Sequence, residues 1–437
     1  MMYPYQGSGW EQASKTCRNL PALRRTMPPM HTSARHRLPD ETRALWVVRT
    51  SMVSPQAIER TVALAARYGF NALFAQVRGR GDAYYRSRYE PRAEPLASQP
   101  ADFDPLGYLL RCAQDMGLQV HAWLNVFYVW SQPQPPRSRR HVVSRSPQWI
   151  ARDQRNRYQM TTAGKVEGVY LCPSNPNVRA HLLKVFADVA ERYPALDGLH
   201  LDYVRYPYEG YCYCAGCRAR FREAMRERVS DTRRAELDRQ AAGRNPFAWI
   251  HAFPAEWDDW RREQVSAFVR AFSRQSRRIN PSLILSAAVW PVPQLAARHK
   301  LQDWLHWLRS DWLDTVMPMA YDKDTAVVQA QAARVVEQAQ GRPVIVGVGA
   351  WQIRPESTVN KIRAIRKQGA RGFCLFSYDA ITQNGGSETY LQQIAREVNP
   401  EAFLPPSLRF PPLREGNRVR VGALMQVPKE RSELCQP

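Results

Sequence analysis

The chain has 437 residues and a formal net charge of +22, with 62 Lys and Arg against 40 Asp and Glu; hydrophobic residues make up 44% and aromatic residues 11%. That composition excludes an intrinsically disordered chain and leaves room for one large core. No run of about 18 apolar residues occurs, which argues against a transmembrane helix. The basic residues are scattered arginines, with no long Lys/Arg block and no RNA-binding signature, so the charge reads as compositional bias and predicts no specific nucleic-acid partner. An anionic partner, such as nucleic acid or an acidic polysaccharide, is the alternative reading of the same charge.

Residues 1–40 are polar, rich in Pro and Arg, and lack the apolar core of a signal peptide; they read as a disordered extension. Arg24-Arg25 has no hydrophobic stretch behind it. The chain as written would stay in the cytoplasm, whereas a misassigned start codon would allow an extracytoplasmic location. A regular alternation then begins. Strand-like runs fall at 44–50, 71–78, 118–126, 196–207, 282–290, 312–321, 342–351 and 371–378, with helical patterns between them. Pro55 and Asp104-Pro105 suit the first turns of helices that run to Gly69 and Gly117, and further helices are predicted at 177–193 and 256–278. Most strands are near-continuous apolar runs, as parallel strands covered on both faces must be. Strict β–α alternation predicts a (β/α)8 barrel over 41–398. The rival, an open doubly wound sheet, carries a Gly-rich fingerprint after its first strand, and ALWVVRTSMVSP has none. Residues 208–255 read as an insertion after the fourth strand, and 399–437 as a Pro-rich tail.

In such barrels chemistry sits at the C-terminal ends of the strands. The second strand offers Gln76 and Arg78, with Asp82 in its loop; the third offers His121, Trp123 and Asn125. The fourth, LDGLHLDYVRYP at 196–207, offers His200, Asp202, Arg205 and Tyr206. Trp290, Tyr321 with Asp322, Trp351, and Ser377 to Asp379 end the remaining strands. Carboxylates among Trp, Tyr, Asn, His and Arg are what a sugar site needs: ring faces stack on pyranoses, planar polar groups fix hydroxyls, and two acids run hydrolysis. Singly, each residue has an ordinary structural explanation. His121 and His200 lie within strands and fit a core; Asp82 and Asp379 fit turn or helix caps; Trp290 and Trp351 fit packing at the mouth.

FAQVRGRGDAYYRSRYEP, VHAWLNV, LDGLHLDYVRYP, WRREQV and MPMAYD, in that order over about residues 41–395, resemble the glycosyl-hydrolase-like ten family of bacterial TIM-barrel proteins. The resemblance implies a glycosidase acting on cell-envelope polysaccharide, peptidoglycan glycan strands among them. Two departures stand out. The family often has Asp-Asp at the end of the fourth strand, where this chain has Asp202-Tyr203, and Gln264 stands where the family has Asn. Several retaining α-glycosidase barrels place a nucleophile at the end of the fourth strand and an acid/base at the end of the sixth. By that similarity Asp202 is expected to be nucleophile or base and Asp322 the proton donor, in dry surroundings supplied by Tyr321 with Trp290 or Trp351. Asp379, Glu209 and Asp82 compete for the second role. Arg205 and Tyr206 read as substrate-positioning groups. A carbohydrate-binding barrel without catalysis is the alternative to a hydrolase.

YCYCAGCRARF follows the fourth strand. Cys212, Cys214 and Cys217 in C-x-C-x-x-C spacing supply three tetrahedral zinc ligands, and Cys172 is the candidate fourth. A similar loop with one remote cysteine holds structural zinc in a family of barrel β-galactosidases. No cofactor is expected for catalysis. Free thiols with a disulfide, or no metal, are the alternatives. Cys112 and Cys374 read as core residues, Cys17 and Cys435 as tail residues.

Overall fold

The computed structural model describes residues 37–161 and 166–403. Eight parallel strands close into a barrel: β1 (Thr42–Val47), β2 (Ala72–Arg78), β3 (Gln119–Asn125), β4 (Gly198–Asp202), β5 (Ile284–Val289), β6 (Thr315–Ala320), β7 (Ile345–Gly349) and β8 (Gly372–Phe376). Each pairs with its neighbours in chain order, and β1 closes the ring on β8 through registers such as Ala44 with Cys374. All eight predicted strands are present, each one to seven residues shorter than its predicted run, and β1 starts two residues earlier than expected. The TIM-barrel expectation holds.

Three of the connecting helices start by a repeated device. Ser54 accepts from the Ala57 amide ahead of Pro55, Asp104 from Gly107 ahead of Pro105, and Asn175 from Asn177 ahead of Pro176. A capping side chain satisfies an orphan amide while the proline presets the first helical φ. Between β4 and β5 lie three helices, Ala215–Arg226, Asp231–Ala242 and Ala248–Ala252, before the long helix Pro254–Ile279 returns to the barrel. The expected insertion therefore has its own helical structure. Of the two predicted flanks, residues 1–36 and 404–437 lie outside the described residues, Cys17 and Cys435 with them. Near the lower rim, Leu38 packs against the barrel's inner cluster and the Pro39 carbonyl accepts from Arg371, so residues 37–40 belong to the folded unit. Likewise Asn399 donates to the Tyr68 carbonyl and Phe403 packs on Tyr68.

A barrel interior is filled by alternate side chains from all strands. Here Ala44, Trp46, Ala72, Phe74, Trp123, Ala288, Met317, Ile345 and Cys374 form the inner cluster. Two glycines make room for its large rings: a Cβ on Gly347 would lie 2.7 Å from the Trp46 ring, and one on Gly198 would lie 2.3 Å from His121 Nδ1 and 2.4 Å from the Ile284 carbonyl. The Trp46 indole N–H donates to His200 Nε2 at 3.1 Å. Since an indole only donates, Nε2 carries the lone pair, the His200 proton is on Nδ1, and it goes to Ser286 Oγ at 2.9 Å. Burial, with His121 nearby, holds His200 well below the usual histidine range, so it stays neutral. His121 stacks on Phe74 with centroids 4.4 Å apart. This layer is the floor beneath the barrel mouth.

Gly198→Ala is expected to destabilise the fold by about 3 kcal/mol or more, because one contact is rigid backbone that cannot rotate away. Urea unfolding of the purified variant reads this out, and a midpoint equal to wild type would contradict the packing described.

Candidate functional site

Asp202 ends β4 directly above that floor and is 8% exposed. Its Oδ2 accepts from the Trp123 indole at 3.2 Å, and its Oδ1 from the Tyr203 amide at 2.6 Å. Burial raises its pKa to about 6, against the opposing pull of Arg205 and these two donors. Trp123 is itself oriented by Asn125, whose Oδ1 takes the same indole proton at 3.0 Å and whose amide donates to the Gly79 carbonyl at 2.7 Å. The chain turns sharply after the carboxylate: Tyr203 has φ +50°. The Asp202 and Tyr203 carbonyls then accept from Val126 and Phe127 at 2.7 and 3.3 Å, which locks β4 to the end of β3.

The walls are aromatic. Tyr321, half-buried, meets Trp351 edge-on at 5.0 Å and lies 5.6 Å from Phe376, while Trp351 is 45% exposed at the lip. Burial, and then the charge of Asp202, push the Tyr321 hydroxyl well above its usual range, so it is a neutral donor facing the carboxylate's field. On the opposite side Tyr203 stacks on Tyr128 at 4.6 Å, with the Arg205 guanidinium 4.8 Å over the Tyr203 ring. Trp290 is half-buried under the Lys300 ammonium at 4.7 Å.

Several residues expected at the mouth lie elsewhere. His121 and His200 are buried in the floor layer, 1% and 0% exposed, and do not line open space. Arg78 is fully buried in an ion pair with Glu90 at 2.6 Å and also donates to the Asn125 and Val126 carbonyls. Tyr206 is fully buried. Gln76 is buried and accepts from Arg49 at 2.7 Å. Asp322 is exposed, and its Oδ1 accepts from the Asp324 amide at 2.8 Å in the turn that starts helix Thr325–Gln338. The dry surroundings expected for a proton donor are therefore not found at Asp322: β6 ends at Ala320 and the chain turns outward after Tyr321. Of the competing acids, Asp379 is consumed by the Val48 amide and the Thr50 and Ser51 hydroxyls, which tie β8 to the loop after β1. Asp82 is buried and accepts from the Arg80 amide at 2.8 Å. Glu209 sits at the rim, 3.6 Å from His299.

Glu167 is a carboxylate that no strand end announced. It precedes Val169–Tyr170, which pairs antiparallel with Tyr128–Trp130 in a small sheet beside the mouth. Its Oε1 accepts from Arg205 at 2.9 Å and its Oε2 from the Tyr170 hydroxyl at 2.8 Å. Burial alone would raise its pKa, but Arg205, Lys300 and these hydrogen bonds outweigh it and hold Glu167 ionised, below the usual range. It is also the other carboxylate among the main influences on Asp202. Nothing in the sequence marks it, since it lies on the long connection between β3 and β4.

Below the post-β4 loop, the thiol sulfurs of Cys172, Cys212, Cys214 and Cys217 all lie within 4.8 Å of one another.

The family pattern of glycosyl hydrolase-like 10 matches residues 41–362. The chain belongs to this family. Among relatives it is 22% identical over 353 residues to the glycosyl hydrolase YngK of Bacillus subtilis, covering 73% of this chain and 62% of that protein. It is 25% identical over 272 residues to the glycosyl hydrolase DigH of Escherichia coli, covering 58% and 55%. The chain thus spans under two thirds of the length of these curated relatives. Of solved structures, the catalytic domain of a β-amylase from Paenibacillus polymyxa aligns over 83% of this chain and 99% of its own, with TM-score 0.57 and 13% identity. A β-galactosidase from Bacillus circulans aligns over 83% and 56%, with TM-score 0.57 and 14% identity. At that identity they share the fold.

Tyr203, the residue directly after Asp202, holds a left-handed backbone with φ +50°. Its left-handed backbone suits Asp or Asn better than a bulky ring. Stacking on Tyr128 and under Arg205 offsets that cost here.

The elevated Asp202 pKa predicts a pH-dependent cost. The protonated carboxyl supports the fold fully below its unfolded value of 3.8, and that support is lost as pH rises through about 6. The difference corresponds to about 3 kcal/mol at most. Asp202→Asn is therefore expected to be more stable than wild type at pH 8 by up to that amount, with the gap closing toward pH 4. Urea unfolding at the two pH values measures it; a gap independent of pH would contradict the burial of this acid.

Proposed function

We propose that this member of the family hydrolyses a glycosidic bond of an oligo- or polysaccharide at the barrel mouth, with Asp202 as proton donor and Glu167 as the ionised carboxylate. The observation that carries the reading is the opposite setting of two acids linked through Arg205. Asp202 is buried, accepts from an indole and an amide, and is poised near 6; Glu167 is clamped by Arg205 and Tyr170 and kept charged. Pairs of carboxyls whose surroundings push their pKa values apart are how acid and base roles are divided. Asp202 would give its proton to the departing glycosidic oxygen as the C–O bond breaks. Glu167 would stabilise the positive charge at the anomeric carbon or draw the proton from the water that adds there. Trp351, Tyr321 and Phe376 offer ring faces and edges for sugar stacking. This assignment moves the proton donor from Asp322 to Asp202.

Bacterial cell-envelope polysaccharide, with peptidoglycan glycan strands as one member, is the substrate class to which the family likeness points, and the names of YngK and DigH as glycosyl hydrolases support the reaction class. A second reading, a sugar-binding barrel without turnover, is favoured by one observation: Asp322, the acid expected from strand order, is spent on its own turn.

Release of reducing ends from denuded peptidoglycan and from neutral α- and β-glycans tests both. Wild type is expected to cleave at least one of these. Asp202→Asn should lower kcat by about a thousandfold and Glu167→Gln by about a hundredfold, with glycan binding retained. Full cleavage by Asp202→Asn would overturn the assignment; binding without turnover by wild type would select the second reading. Because Asp202 must be protonated, kcat/KM is expected to fall about tenfold per pH unit above roughly pH 6. A flat profile from pH 5 to 8 would exclude Asp202 as the acid.

A further inference from the structure

We propose that Cys172, Cys212, Cys214 and Cys217 bind one zinc ion as four thiolates, and that this ion braces the loops on one side of the mouth. The inference is independent of the chemistry assigned to Asp202 and Glu167.

The four cysteines come from two separate stretches of chain. Cys172 follows Leu171, which bridges to Ile150, and its amide donates to the Trp149 carbonyl. Cys212 and Cys214 lie on the loop after β4, and Cys217 lies in the first turn of helix Ala215–Arg226. Cys172 Sγ is 3.3 Å from Cys217 Sγ and 4.0 Å from Cys214 Sγ, and all four sulfurs lie within 4.8 Å of one another. A tetrahedron with Zn–S bonds of about 2.3 Å sets its sulfurs about 3.8 Å apart. The cluster thus needs only shifts of about 1 Å or less to reach that geometry. A disulfide would use one pair and leave the other two thiols behind, whereas here Cys172 has both Cys214 and Cys217 as close neighbours and all four are free thiols.

Four thiolates around a divalent cation leave a net negative charge, and the surroundings supply donors for it. The Arg152 amide points at Cys212 Sγ from 3.3 Å. Ser174 Oγ lies 3.3 Å from Cys172 Sγ and 3.0 Å from Cys217 Sγ, and itself accepts from Arg220 at 2.9 Å. Such outer-shell hydrogen bonds orient thiolate ligands and offset their charge. Cys172, Cys212 and Cys217 are buried and Cys214 is partly so, which limits access of oxidants and chelators.

With all four positions taken by sulfur, the ion has no place for water or substrate, so its role is structural. What it would join is specific. The Tyr213 amide donates to the Arg152 carbonyl, Arg261 donates to the Glu209 and Tyr211 carbonyls, and the Tyr206 amide donates to the Lys300 carbonyl. The chain leaving Asp202 is therefore tied at intervals, and the sulfur cluster ties its far end to the stretch that also carries Glu167 and Tyr170. Zinc here would fix the spacing between the β4 loop and the small sheet beside it.

The test is metal analysis of the purified full chain, with thiol counting before and after denaturation. We expect about one zinc per chain, released as the thiols of wild type are titrated with an organomercurial, and a visible tetrahedral cobalt–thiolate spectrum after exchange. Cys172→Ser and Cys217→Ser should lose the metal and several degrees in Tm, while Asp202→Asn should keep it. If the Cys variants do not fold, the mercurial titration and cobalt spectrum of wild type decide alone. Metal-free protein with four reactive thiols, a disulfide, iron in place of zinc, or zinc that survives removal of Cys172 would each overturn the proposal.

Discussion

Closing eight parallel strands into a ring gives the molecule one interior, and alternate side chains of each strand must share it. Most of what distinguishes this protein follows from how that space is divided. Gly198 and Gly347 give up their side-chain volume so that His121 and Trp46 can enter. Trp46 then donates to His200, which passes its own proton to Ser286. The result is a closely packed floor in which His200 is neutral and bonded at both ring nitrogens. Asp202 rests on it with little water and few donors, which is why its carboxyl holds its proton to about pH 6.

The two acids beside the mouth differ because their supports differ. Asp202 leaves a barrel strand, where burial dominates. Glu167 comes from the small sheet packed at the rim, where Arg205 and Tyr170 reach it and keep it charged. Arg205 serves both: it is the largest influence opposing the rise at Asp202, and it closes the ion pair with Glu167. A residue that reads as substrate-positioning from its place after β4 is, in the folded chain, the link between the two carboxylates. Its guanidinium also covers the Tyr203 ring, and so helps to hold a backbone conformation that a tyrosine adopts only at a cost.

Around the rim, loops are held by side-chain to backbone contacts. Arg261, Lys300 and Asp379 each spend their charge on neighbouring loops. Other arginines are held by acids: Arg78 is committed to Glu90, Arg88 to Asp188 and Arg366 to Glu41. Such pairs cancel in the net charge, so the excess of +22 comes from the other basic residues.

Strand count, order and parallel sense were legible in the chain alone, because buried parallel strands must be continuous apolar runs and several helices between them begin with a capping side chain followed by proline. The ends of those strands also pointed to Asp202, Trp123, Tyr321 and Trp351 as one constellation, since a barrel brings all its strand ends to one face. The C-x-C-x-x-C spacing with a remote fourth cysteine was equally a property of the sequence, and the fold does bring the four sulfurs together. What the sequence did not decide was which polar residue faces the opening. Arg78, His121, His200 and Tyr206 share the same strand ends, yet packing turned them into the interior, and Asp322 was spent on starting a helix. Glu167 was invisible because it lies on a long connection with no periodic signal, and only the docking of that connection against β4 places it near Arg205. Periodicity and capping are local, so they can be read along the chain. Burial, protonation and the pairing of distant acids depend on contacts between segments far apart in sequence, and only the closed barrel creates them.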